Sequence, residues 1–263
     1  MSLAQAFASA RAEGRAALIC YLPAGFPDEQ TSVALIRAMI DAGADVIEVG
    51  LPYSDPLMDG PVIQQAVDVA LQARTTTDTV LEVVRQVSGR GAQIAVMSYW
   101  NPIERYGVER FAKALVDSGG VAVITPDLTP EEAGPWISAT DQAGVERVFL
   151  VAPSSTDDRI STVAQASSGF VYAASTMGVT GARASLGTAA GALVGRVRPR
   201  TGLPVAVGVG VSTPAQAREV AGYADGVIVG SALVKAVLDA PDGAAAIEAV
   251  STLTAALAQG VRR

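Results

Sequence analysis

The 263-residue chain carries 19 Lys and Arg against 26 Asp and Glu, a formal net charge of -7, which argues against a nucleic-acid binder because phosphate backbones demand a basic face. Half of its residues are hydrophobic, 17% are charged and 5% are aromatic, a balance that describes a globular protein with an aliphatic core and excludes disordered and fibrous classes. It has no histidine and a single cysteine, so the usual general base, the commonest metal ligand, every Ser-His or Cys-His pair and any intrachain disulfide are ruled out.

From the amino end, MSLAQAFASARAEG lacks the long apolar core of a secretory signal, and no uninterrupted apolar segment reaches membrane-spanning length. The expectation is a cytoplasmic protein. The first strand is AALICYL (16–22), with Cys20 as a buried core thiol. Asp28 then opens the helix EQTSVALIRAMIDAGA, and DVIEVGL (45–51) forms the second strand. Thr77 or Asp78 opens TVLEVVRQVSG; the strands QIAVMSY (93–99) and VAVIT (121–125) follow, and Thr129 precedes the helix PEEAGPWISATDQAG. Strands RVFLVA (147–152), GFVYAA (169–174) and LPVAVGV (203–209) come next, then Thr213 before the helix PAQAREVAGYA, and finally the strand GVIVG (226–230). Capping residues, first-turn prolines and terminal glycines punctuate these helices.

Eight continuous apolar strands alternating with helices signal a parallel sheet covered on both faces. With no polar linker between repeats, the pattern fits one α/β domain, a (β/α)8 TIM barrel over residues 1–263. An open doubly wound sheet is the alternative, but GVGVST (208–213) lacks the third glycine of its dinucleotide fingerprint. In a barrel the chemistry sits at the carboxyl ends of the strands. The only lysines, Lys113 in RFAKALVDSGG and Lys235 in SALVKAVLDA, fall in helical patterns, which disfavours a Schiff-base mechanism.

Alternation through the second strand puts Val46, Glu48 and Gly50 on the inward face, with Ile47 and Val49 toward the helices. A carboxylate there is costly to bury unless paired, and desolvation raises its pKa toward the range useful for proton transfer. The bland alternative is a structural glutamate bonded to neighbouring hydroxyls. Asp59 follows in a loop stiffened by Pro52, Pro56 and Pro61 and can return over the barrel mouth, giving an acid and base pair in different environments. Asp55, in a Ser-Asp-Pro turn, reads as a capping or interface residue. Gly208, Gly210, Gly230 and Ser231 could offer backbone N–H groups to a phosphate at helix starts, although such short motifs are more often turns. Residues 175–187, rich in Gly, Ser, Thr and Ala, suit a mobile lid or an ordinary flexible loop. Tyr21, Tyr99 and Tyr172 fall at strand ends, where they could wall an aromatic ligand or simply pack the core.

The stretch VIEVGLPYSDPLMDGP (46–61) resembles the signature of the tryptophan synthase alpha subunit family. Similar segments follow in family order: PAGFPD (23–28), SYWNPIERYG (98–107), PDLTPEEA (126–133), STMGVTGAR (175–183), VGVGVSTPAQ (207–216) and DGVIVGSALVK (225–235). The resemblance implies a (β/α)8 barrel with an extra amino-terminal helix. It also implies retro-aldol cleavage of indole-3-glycerol phosphate to indole and glyceraldehyde 3-phosphate, with no cofactor in this subunit. By resemblance Glu48 matches the principal acid/base and Asp59 the carboxylate at the indole N–H. Gly181, Gly210 and Ser231 match phosphate contacts, Thr180 the residue that reaches Asp59 on closure, and Tyr172 the firmest of the aromatic walls. The implied partner is a beta subunit carrying pyridoxal phosphate in an α2β2 complex, met at Pro52, Asp55 and Pro56 and at the loop 101–106. Thr129, Phe26 and Thr176 depart from the family pattern. Rival expectations are an indole-3-glycerol phosphate synthase, which would need a lysine inside the barrel, and a silent phosphate-binding barrel that regulates a beta partner.

Overall fold

The computed structural model describes residues 2–174, 187–208 and 210–262. Its strands are β1 (Ala17–Pro23), β2 (Val46–Gly50), β3 (Gln93–Met97), β4 (Ala122–Ile124), β5 (Glu146–Val148), β6 (Leu150–Val151), β7 (Val171–Ala174), β8 (Val205–Gly208) and β9 (Gly226–Val229). The helices are α1 (Leu3–Ala12), α2 (Glu29–Asp41), α3 (Pro61–Gln72), α4 (Thr77–Val87), α5 (Trp100–Tyr106), α6 (Val108–Asp117), α7 (Gly134–Ala143), α8 (Asp157–Ala166), α9 (Gly187–Val197), α10 (Pro214–Ala221), α11 (Ser231–Leu238) and α12 (Gly243–Gly260).

All ladders are parallel, in the order β5-β4-β3-β2-β1-β9-β8-β7-β6. The two ends of that order are one chain segment interrupted only at Phe149. There Thr125 N donates to Val148 O on one side (3.3 Å) and Tyr172 N to Phe149 O on the other (3.1 Å), so the sheet closes on itself. The expected eight strands therefore appear as nine because the fifth divides its pairing between two neighbours. Its side-chain alternation survives the break: Val148 and Leu150 belong with the barrel interior, Phe149 and Val151 with the outer layer.

The two cores follow the period of the strands. Ile47, Val49, Ile94, Val96, Val205, Val207, Val227 and Val229 pack outward against the helices. Ile19, Val46, Ala95, Ala122, Ile124, Val148, Ala206 and Ile228 fill the interior, where Leu3, Phe7 and Ala10 of α1 join them. The extra helix thus closes the amino-terminal end of the barrel, its Leu3 amide held by Glu146 Oε2 at 2.7 Å.

Capping chemistry sets most helix starts. Asp28 accepts from Thr31 N (2.8 Å) at α2, and Thr213 forms a capping box with Gln216 at α10. Two boundaries differ from the sequence expectation. At α4 the cap is Thr76, one residue earlier, because Thr79 stands three residues on and completes a capping box. At α7 the helix begins at Gly134 rather than after Thr129: residues 129–133 make turns first, with Glu132 N on Thr129 O at 3.1 Å, and the residues that face the core, Trp136, Ala139 and Thr140, come only later. Lys113 and Lys235 lie on helix surfaces, paired with Asp117 (2.6 Å) and Asp239 (2.9 Å), far from any Schiff-base position. No described helix is long and apolar enough to cross a membrane.

Candidate active site

At the carboxyl ends of the strands lies a cavity with about 790 Å³ of open space, its mouth included. Glu48, Asp59, Tyr21, Tyr172, Gly208, Gly210, Gly230 and Ser231 all line it. The apolar part of the wall comes from Met58, Ile63, Met97, Pro126, Leu150, Ala174 and Ile228.

Glu48 stands in register with Tyr21 on one side and Ala95 on the other. The small Ala95 side chain leaves room beside it. The residue is 1% exposed and its Oε1 has no hydrogen-bond partner among the described residues, which argues against a structural glutamate satisfied by hydroxyls. Burial alone pushes its pKa from 4.5 up to about 8. Such an orphaned buried oxygen costs about 1–3 kcal/mol and calls for a functional reason.

Asp59 lies on the loop 51–60 that rises from β2 and ends at Gly60 before Pro61 starts α3. Its carbonyl accepts from Gln64 Nε2 at 2.8 Å. Partial burial raises its pKa to about 6, opposed by a hydrogen bond from the Tyr99 hydroxyl. The two carboxyls therefore straddle neutral pH: Glu48 holds its proton and Asp59 has lost its own. Burial, reinforced by these two carboxyls, lifts the phenols of Tyr21 and Tyr172 well above their ordinary value, so both remain hydroxyl donors.

Both tyrosines lie across a glycine on the neighbouring strand. A Cβ at Gly50 would stand 2.4 Å from the Tyr21 hydroxyl, and one at Gly208 would stand 2.3 Å from that of Tyr172. Gly208, a candidate phosphate contact from its motif, thus makes room for a ring. Gly210 takes a φ of +70°, which favours glycine, and Gly230 precedes α11. The first amides of α11, at Ser231 and Ala232, precede the helix's own bonding pattern and point out of its amino end. Tyr99 is placed differently from Tyr21 and Tyr172: it caps the start of α5, and its hydroxyl accepts from Met58 N at 2.9 Å beneath the loop 51–60. Thr180 and Gly181, with Thr176 and the rest of 175–186, lie outside the described residues.

On the outer side of the same loop Pro52 is buried, Pro56 half-buried and Asp55 exposed, its Oδ2 accepting from Ser54 Oγ at 2.6 Å. Sequence reasoning passed over Leu57, which is 85% exposed. The available signal was a Leu-Met pair set among turn residues, where a solvated loop gains nothing from apolar side chains.

The model of the tryptophan synthase alpha chain family matches residues 7–262. The chain belongs to that family. It is 59% identical to the tryptophan synthase alpha chain of Thermobifida fusca, over 99% of this chain and 97% of that one. It is 56% identical to that of Streptomyces coelicolor, over 97% and 94%. Among solved structures, Mycobacterium tuberculosis tryptophan synthase superposes with a TM-score of 0.93 at 50% identity, covering 99% of this chain and 98% of that one. The alpha chain of Legionella pneumophila superposes with a TM-score of 0.89 at 31% identity, over 99% and 97%. Membership brings the reaction with it: this enzyme is a lyase of tryptophan biosynthesis that cleaves indole-3-glycerol phosphate to indole and glyceraldehyde 3-phosphate.

Proposed function

We propose that Glu48 and Asp59 perform this cleavage as an acid and base pair set apart by their surroundings. The supporting observation is that both face one cavity while the buried Oε1 of Glu48 has no hydrogen-bond partner among the described residues. At neutral pH the protonated Glu48 delivers its proton to the indole C3 carbon. The Asp59 carboxylate accepts a hydrogen bond from the indole N–H and stabilises the positive charge that develops on the ring. Glu48, now ionised, takes the proton of the adjacent glycerol hydroxyl. As that O–H electron pair forms the aldehyde C=O, the electrons of the breaking carbon–carbon bond return to C3, and the indole regains its aromaticity. One carboxyl thus gives a proton and recovers one, and the enzyme ends as it began.

Tyr21 and Tyr172 wall the indole. Gly210, Gly230 and Ser231 hold the phosphate through backbone N–H groups and the start of α11, joined by Gly181, while Thr180 has the family role of reaching Asp59 on closure. The enzyme works in the cytoplasm as a single barrel domain, needs no cofactor of its own and passes indole to a pyridoxal-phosphate beta subunit in an α2β2 complex. Pro52, Asp55 and Pro56 meet that partner, and the exposed Leu57 supports the same surface.

Indole release from indole-3-glycerol phosphate, measured with and without the beta subunit, tests this assignment. Glu48→Gln should lower kcat by about 10²–10⁴, the usual worth of a general acid–base group. A fully active Glu48→Gln enzyme would overturn it. A silent, purely regulatory barrel would release no indole under either condition.

A further inference from the structure

We propose that Tyr99 is a positioning residue that holds Asp59 over the cavity, and that Asp127 fixes Tyr99 by anchoring the start of α5. The proposal rests on Asp59 acting at the indole N–H and deepens that assignment.

Alternation along β3 would carry Tyr99 to the cavity wall, since Met97 lines it. The strand stops at Met97, however, and α5 begins at Trp100. Tyr99 therefore leaves the strand's period and lies beneath the loop 51–60, 5% exposed, its ring centroid 5.4 Å from that of Tyr53. A phenol has one hydrogen to donate and lone pairs to accept with. Here the Tyr99 oxygen accepts from Met58 N at 2.9 Å, which fixes the backbone next to Asp59 and leaves the phenol hydrogen for the Asp59 carboxyl, whose pKa Tyr99 lowers against burial. Gln64 holds the Asp59 carbonyl from the opposite side at 2.8 Å. The carboxylate is thus aimed by a side chain that itself lies outside the cavity lining.

The position of Tyr99 is fixed in turn. It caps α5 without offering a side-chain bond of its own to the helix. The first amide of the helix, Trp100 N, instead donates to both oxygens of Asp127, at 2.9 and 3.1 Å. Asp127 directly follows Pro126, which lines the cavity. The loop after β4 therefore sets the backbone of Tyr99, and Tyr99 sets the loop after β2. A hydrogen bond to the ionised form also keeps Asp59 charged at lower pH than burial alone would allow.

The experiment is a pH profile of kcat and KM for indole-3-glycerol phosphate, using the full-length chain with saturating beta subunit. The proteins are wild type, Tyr99→Phe, Asp127→Ala, Asp127→Asn and Asp59→Asn. Tyr99→Phe keeps the ring and removes both hydroxyl bonds. It should lower kcat about tenfold, change KM less than about twofold, and move the acidic limb to higher pH. Asp127→Ala should shift kcat and the limb in the same direction, and Asp127→Asn, whose amide oxygen still accepts from Trp100 N, should restore both. Wild-type kcat and acidic limb in Tyr99→Phe would overturn the proposal. So would a large rise in KM with both unchanged, which would make Tyr99 a wall of the indole pocket. Wild-type behaviour of Asp127→Ala would remove the anchor. Full activity in Asp59→Asn would instead refute the role given to Asp59 itself, so the two failures are distinguishable.

Discussion

Glu48→Gln should make the folded protein more stable, by an amount that grows with pH. The carboxyl ionises at 4.5 in an open environment and at about 8 in its buried site. Between those values the unfolded chain has released a proton that the folded chain still binds, so stability falls as pH rises through the interval. At about 1.4 kcal/mol per pH unit, the cost is under about 1 kcal/mol at pH 5, about 3 at pH 7 and about 5 once pH exceeds the folded value. Glutamine has nearly the same shape and no charge to desolvate. The stability difference between variant and wild type should therefore follow that rising curve and level off above pH 8. Urea unfolding of the isolated chain at pH 5, 7 and 8.5 would measure it. A difference that stays flat across the three pH values would refute the claim that burial keeps Glu48 protonated near neutral pH.

The same two pKa values set the pH dependence of catalysis: kcat/KM for indole release should fall below about pH 6 as Asp59 gains a proton and above about pH 8 as Glu48 loses one. Gly208→Ala places a Cβ 2.3 Å from the Tyr172 hydroxyl. It should cost about 1–3 kcal/mol in thermal unfolding and raise KM by displacing the ring. Leu57→Asp, at an 85% exposed position, should change the stability of the isolated chain by less than about 0.5 kcal/mol. Titration with beta subunit should then require more partner to reach full activation, and an unchanged titration would exclude Leu57 from that contact.

Much of this architecture is legible in the sequence, because its causes are local. The inward aim of Glu48 follows from counting by twos along a strand with one greasy outer face, and the starts of α2 and α10 follow from caps three residues ahead of their partners. The misses share a different cause. Three consecutive threonines, Thr75 to Thr77, can each cap a helix, and only the pairing with Thr79 chooses Thr76. Thr129 and Pro130 carry the chemistry of a helix start, yet Glu131 and Glu132 are exposed, and the helix waits for the first residues with a core to face. Tyr99 could be assigned to the cavity wall only by extending β3 past its last residue. The tyrosine–glycine pairs depend on the register between strands distant in sequence, where Tyr21 sits beside Glu48 and diagonally from Gly50. Nothing in a single strand announces that relation.

Because Leu3, Phe7 and Ala10 stopper the lower end of the barrel, the reaction chamber is a cul-de-sac. Among the described residues the cavity opens at the carboxyl-end rim, near which Leu57 and the neighbouring prolines stand. A molecule seated on that rim would lie across the way into the chamber.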